Sequence, residues 1–161
     1  MNEKQRLYLV QARSDWKIYH LLKNQSICHQ LHYFQMCTEK LAKAFFWSST
    51  GAGKIGHSAF VKFVRIIAAN RKVATSLGYS SVVSFGEWIK DVSDLVYELQ
   101  QLAPALAGDE RPNAEYPWPR YDPQFAPVEH QFIAWKRMQT ANGHHLRVMI
   151  DQILDNFDKW F

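Results

Sequence analysis

Two arginine–histidine pairs recur at one spacing in this 161-residue chain: Arg13 with His20, and Arg137 with His144, each seven residues apart. Seven residues carry an α-helix through nearly two turns and back to almost the same face. A guanidinium grips a phosphate through two parallel N–H bonds, and an imidazole moves a proton near neutral pH. Together they are the smallest kit for metal-free RNA cleavage at a 2′-hydroxyl, with arginine on the scissile phosphate and histidine as general acid or base. A match this short also arises by chance, so the surrounding elements must decide its meaning.

Other chemistry-bearing residues are sparser. Cys28, His29 and His32 cluster, and Cys28 and His32 stand four apart, a metal-ligand spacing on a helix. Two ligands do not make a site; a third would have to come from elsewhere, such as His20, so no metal or other cofactor is expected. The run Gly51-Ala52-Gly53-Lys54 resembles a phosphate-binding loop but lacks its parts. No glycine stands at Ser48, Ile55 replaces the magnesium-binding hydroxyl, and a helix rather than a strand precedes it. No serine or cysteine sits in a recognisable nucleophile elbow. Arg111, Tyr116 and Arg120 lie in a proline-rich stretch, where an arginine could meet an anion in the wall of a cleft.

Net charge is +4, compatible with a polyanionic partner without requiring one. An apolar share of 47% suits a single globular domain over residues 1–161, and the aromatic share of 14% suits helix-on-helix packing. No run of 18 or more apolar residues occurs, so no membrane span is expected. The charged N-terminus lacks a signal-peptide core. Cys28 and Cys37 fall on one predicted helix, about 13 Å apart along its axis, too far for a disulfide. A reducing cytoplasm is the expected home.

Periodicity predicts an all-α chain of about five helices packed on one another, the first two joined as an antiparallel hairpin. The organising stretch is Ile27 to Ser48, where Ile27, Leu31, Phe34, Thr38, Leu41 and Phe45 recur at spacings of four and three. Glu39 and Lys40 sit beside this stripe and need a partner or a route to water. A first helix from about Glu3 to Lys23 would turn Leu7, Val10, Ser14, Ile18 and Leu21 inward, and Ser26 could cap the second. A third is predicted over His57 to Val73 and a loop over Ala74 to Val83. Ser84 and Glu87 would form a capping box for a fourth helix, with Trp88, Val92, Leu95, Leu99 and Leu102 as its seam. Pro104 would end it. All six prolines lie within residues 104–127, which predicts a long strap wrapped on the bundle before the C-terminal helices. Tyr116, Trp118, Tyr121 and Phe125 are expected to hold that strap by burial. Helix resumes over Val128 to Thr140, then from His144 to the end. Asn142-Gly143 could separate the two, or one helix could run through.

With these elements in place, the run from His32 to Ser49, HYFQMCTEKLAKAFFWSS, resembles the second helix of HEPN domains. Those carry an Ala-Arg-x-Asp-like segment in the first helix and a Gln-x-x-x-Glu-Lys-x-x-Lys-Ala-like signature in the second. The matching residues here are Ala12, Arg13 and Asp15, then Gln35, Glu39, Lys40, Lys43 and Ala44, with His57 where many members open the third helix. The match covers Gln11 to about Ile67. The resemblance implies an up-and-down antiparallel helical bundle, commonly a homodimer. It also implies an RNA or nucleotide ligand, or a protein partner such as an antitoxin or a nucleotidyltransferase. Many members are RNases of toxin–antitoxin or defence systems, with a catalytic Arg-x(4–6)-His near the start of a late helix. Arg137 and His144 match that motif at its longest spacing, although Met138 follows the arginine where active members are usually polar. Other members are inactive binding modules. Three readings follow: a non-catalytic module binding nucleotide, nucleic acid or protein, with Arg111, Tyr116, Arg120, Arg13 and His20 as contacts; a metal-independent endoribonuclease using Arg137 and His144; or a purely structural dimerisation bundle.

Overall fold

A computed structural model describes residues 1–47 and 56–161; the glycine-rich run at 48–55, with its phosphate-loop resemblance, lies outside the described residues. Within them the chain is helical and contains no β-strand. The nine α-helices among the described residues are α1 (Glu3–Leu21), α2 (Ile27–Phe46), α3 (Ala59–Ile67), α4 (Arg71–Ser76), α5 (Val82–Asp91), α6 (Ser93–Gln101), α7 (Pro104–Ala107), α8 (Ile133–Met138) and α9 (Ala141–Trp160). None is long and apolar enough to cross a membrane.

Helix α2 lies at the centre, against α1, α3 and α6. Leu31, Phe34, Cys37, Thr38, Leu41 and Ala44 along it are buried. Thr38 tolerates this because its hydroxyl donates to the carbonyls of Phe34 and Gln35, both at 3.0 Å. The charged residues flanking the stripe find partners. Lys40 Nζ donates to Asp15 at 2.5 Å, and Gln11 donates to the same carboxylate at 3.0 Å. Glu39 accepts from Lys43 at 2.5 Å and from Gln35 at 2.9 Å, and His57 Nδ1 lies 3.0 Å away. Burial alone would raise the Glu39 pKa; the bonds from Lys43 and His57 outweigh it and hold the carboxyl below its usual range. Of the residues quoted for the HEPN resemblance, Asp15 and Lys40 join α1 to α2, and Gln35, Glu39, Lys43 and His57 join α2 to the approach to α3, making a polar seam.

The inner face of α1 differs from the predicted one. Gln5, Leu9, Ala12, Asp15, Trp16 and Tyr19 turn inward, while Leu7, Val10 and Leu21 are exposed. Two forces select this rotation. Trp16 and Tyr19 stack at 5.1 Å and both meet Phe34, burying more apolar area than the aliphatic stripe would. Asp15 reaches Lys40 only from this face.

About five predicted helices become nine among the described residues, some at polar caps and others at uncapped breaks. Asn70 accepts from the amides of Lys72 and Val73 and starts α4 within the predicted third helix, which therefore ends early, while α4 runs on to Ser76 in the predicted loop. Ser81, not Ser84, caps α5, accepting from the Ser84 amide, and no side-chain bond from Ser26 caps α2. The predicted fourth helix breaks at Val92 into α5 and α6, yet Trp88, Val92, Leu95, Leu99 and Leu102 all stay buried. Pro104 opens the short α7 rather than only ending α6.

From 108 to 126 the chain holds no helix, and Pro127–Glu129 form one 3-10 turn. The Asn113 carboxamide oxygen accepts from the amides of Glu115 and Tyr116 at 2.9 and 2.7 Å, and the Ala114 amide donates to Leu102. Trp118 and Phe125 pair backbone to backbone. Of the four aromatics expected to pin this segment, only Trp118 is buried; its ring lies edge-on to His130 at 5.0 Å. Tyr116, Tyr121 and Phe125 face outward, because one buried indole and a backbone pair suffice to fix so narrow a loop.

Candidate binding cleft

The chain reverses between α8 and α9 within two residues. Thr140 caps α9: its hydroxyl accepts from the Gly143 amide at 3.3 Å and donates to the Arg137 carbonyl at 2.7 Å. The break therefore falls before Asn142-Gly143, and Gly143 lies inside the first turn of α9. There the backbone of α8 passes so close that a Cβ on Gly143 would stand 2.4 Å from Met138 Cα. This corner fixes which side chains face each other.

Beside the corner, α1, α2, α8 and α9 enclose a cleft of about 510 Å³, within the ~300–1,000 Å³ range of small-molecule sites. Its aromatic surfaces are Trp16, Tyr19 and Trp135. Its basic groups are His20 and Lys23 from the end of α1, and His144 and Arg147 from the start of α9. Gln30 and Gln139 add amides, and Asp151 adds the sole carboxylate of the lining. Asp151 accepts from the Trp16 indole N–H at 2.9 Å, and Arg147 Nη1 donates to the Met138 carbonyl at 2.9 Å. Both bonds hold the walls in place before any ligand arrives. The His20 ring stands edge-on to Trp16 at 4.8 Å. Burial, then Lys23 and Arg147, push its pKa below the ordinary histidine value against the pull of Asp151. Burial raises the Tyr19 pKa, opposed by Arg147. Planar surfaces beside fixed cations are what a flat ring carrying a phosphate requires.

Neither predicted Arg–His pair meets in this cleft; their two histidines do. Arg13 shares α1 with His20, but its Nε and Nη2 donate to the Leu154 carbonyl at 3.0 and 2.6 Å, tying α1 to α9. Arg137 lies across the corner from His144. Its Nη1 sits 3.2 Å from Glu98 and 4.0 Å from Asp94, in a separate hollow with Thr140 and Asn142. Seven residues bring a side chain back to one face only along an unbroken helix, and the Thr140 cap breaks this one.

The strap residues are dispersed as well. Arg111 Nε donates to the Ala107 carbonyl at 3.3 Å and Nη2 donates to that of Leu106, capping α7. Arg120 lies 3.6 Å from Asp109, both largely exposed, and shares a shallow hollow with Tyr116. Cys28 and Cys37 are free and buried, and burial pushes both thiols up. His32 Nδ1 sits 3.2 Å from Glu115, and no group of three or more potential metal ligands converges among the described residues.

Arg147, Lys23 and Trp135 escape a search for Arg-to-His spacings. A search by helix face would find them: His144-x-x-Arg147 is an i,i+3 pair, and Trp16, His20 and Lys23 recur at four and three. Compared with known proteins, the chain matches no family model, no curated sequence and no solved structure.

Proposed function

We propose that the chain is a non-catalytic HEPN-like module, homodimeric and working with a partner protein of a toxin–antitoxin or defence system, that binds a nucleotide in the α1–α2–α8–α9 cleft. The observation that carries the ligand is the convergence of Lys23, Arg147, His20 and His144 on a cleft faced by Trp16 and Trp135. The polar seam through Asp15, Lys40, Gln35, Glu39, Lys43 and His57 supports the HEPN likeness. The engagement of Arg137 by Glu98 favours binding over cleavage.

The test is tryptophan fluorescence on titration with adenosine 5′-monophosphate. Binding quenches the emission of the cleft tryptophans. Arg147→Ala weakens it by about 10-fold or more, the value of one charge-assisted bond of ~1.5–3 kcal/mol. Unchanged binding in Arg147→Ala sinks the assignment of the cleft. A second reading, the metal-independent endoribonuclease, draws on the two imidazoles in one cleft. Cleavage of RNA by the purified protein, abolished in His144→Ala with helical content intact, would establish it.

A further inference from the structure

The charges lining the cleft set the proton balance of each phosphate ligand. Lys23 and Arg147 against Asp151 leave one net positive charge from groups ionised at neutral pH. An internal phosphodiester carries one negative charge and matches that balance. A terminal phosphate monoester carries about 1.5 to 2 negative charges at pH 7 and exceeds it. The two remaining titratable groups on the basic side of the cleft are His20 and His144.

Resting on the nucleotide-binding reading above, we infer that this cleft captures a terminal phosphate monoester with uptake of a proton by the His20–His144 pair. His20 meets Lys23 from its own end of the chain, Arg147, Asp151 and His144 from α9, and the neutral Gln30 and Trp135 from α2 and α8. His144 neighbours His145 on its own helix and shares the cleft lining with Arg147 and Asp151 of α9 and with Tyr19, His20 and Lys23 opposite. In the free protein burial, then Lys23 and Arg147, hold the His20 pKa below its ordinary value against the pull of Asp151. A dianion placed among these groups reverses the balance, because an opposite charge within a few ångströms favours the protonated imidazole. The proton goes onto a ring nitrogen facing the phosphate, and no bond in the ligand breaks. The cleft then binds a nucleotide end or a free mononucleotide more tightly as pH falls, and is indifferent to pH toward an internal linkage.

Calorimetry in two buffers of different ionisation enthalpy, at about pH 7.5, measures the coupling. Adenosine 5′-monophosphate and inorganic sulfate, a dianion that does not itself titrate there, each take up about one proton. Affinity for both rises roughly tenfold for each unit of pH lowered from about 8 to 7, the slope that one proton dictates. A dinucleoside monophosphate with one internal linkage takes up none. His20→Gln and His144→Gln each reduce the uptake, and the double variant abolishes it while sulfate still binds. Full uptake in the double variant, or binding of the monophosphate and sulfate without uptake, overturns the coupling alone. Absence of binding by either probe at every pH overturns the coupling and the proposed ligand together.

Discussion

Gly143→Ala tests the corner that shapes the cleft. A methyl at this position would stand 2.4 Å from Met138 Cα, 2.5 Å from the Arg137 carbonyl oxygen and 2.6 Å from the Met138 carbonyl carbon. Carbon atoms rest about 3.5–4.0 Å apart, so α8 would have to retreat by more than an ångström. All three obstacles are backbone, which cannot swing aside as a side chain can. Overpacking of this kind costs roughly 1–3 kcal/mol, occasionally more. The retreat also lengthens the bond from Arg147 to the Met138 carbonyl, a charged hydrogen bond worth about 1.5–3 kcal/mol. Alanine returns at most ~1 kcal/mol of helix propensity. The net expectation is a loss of about 3 kcal/mol, or roughly 6–12 °C in Tm for a domain of this size. Gly86 is the internal control: it lies in α5 with nothing within 4 Å of its missing Cβ, so Gly86→Ala should be neutral or stabilise by up to ~1 kcal/mol. Urea unfolding of both variants reads the difference directly. A Gly143→Ala protein within ~0.5 kcal/mol of the parent would refute the close approach of α8, and with it the geometry of the cleft.

Two further variants probe the polar seam. Lys40→Met leaves the Asp15 carboxylate buried with only Gln11 as donor, and should cost about 3–5 kcal/mol in urea unfolding; a loss below ~1 kcal/mol would mean that water already reaches the pair. Glu39 sets an acid limit. Its folded pKa lies below the usual value near 4.5, so the stability it contributes is fully present above that value and is lost as pH falls through the folded pKa. Glu39→Gln should flatten the stability-against-pH curve in that acid window, as followed by circular dichroism; an unaltered curve would show that the seam does not govern acid unfolding.

Hydrophobic period made the helical class and the central stripe of α2 legible, because one stripe on that helix outweighs any other. On α1 two stripes compete: Leu7, Val10, Ser14, Ile18 and Leu21 against Gln5, Leu9, Ala12, Trp16 and Tyr19. Counting apolar residues does not separate them, four against four. The second wins through a long-range partner, Lys40 for Asp15, and through rings that pack on Phe34, neither of which a local window contains. Helix ends failed for a related reason. Asn70, Ser81 and Thr140 each stand beside other polar residues, and which of them caps a helix depends on the turn around it.

The cleft was half legible, and the missing half has one cause. The sequence points to His20 and His144 but pairs each with an arginine by spacing, which brings a pair to one face only where the helix is unbroken. Had α8 run straight into α9, Arg137 and His144 would share a face and the cleft would lose its floor, because Trp135 and Gln139 enter it only after the chain reverses. Thr140 starts a new helix and Gly143 lets the old one pass close beside it, so the guanidinium that joins the histidines is Arg147, one turn further on. The exchange is chemically consequential. Arg137 is answered by Glu98 and Asp94, whereas Arg147 donates to a neutral carbonyl and retains its charge for a ligand. A two-residue reversal therefore decides which of two arginines lines the cleft.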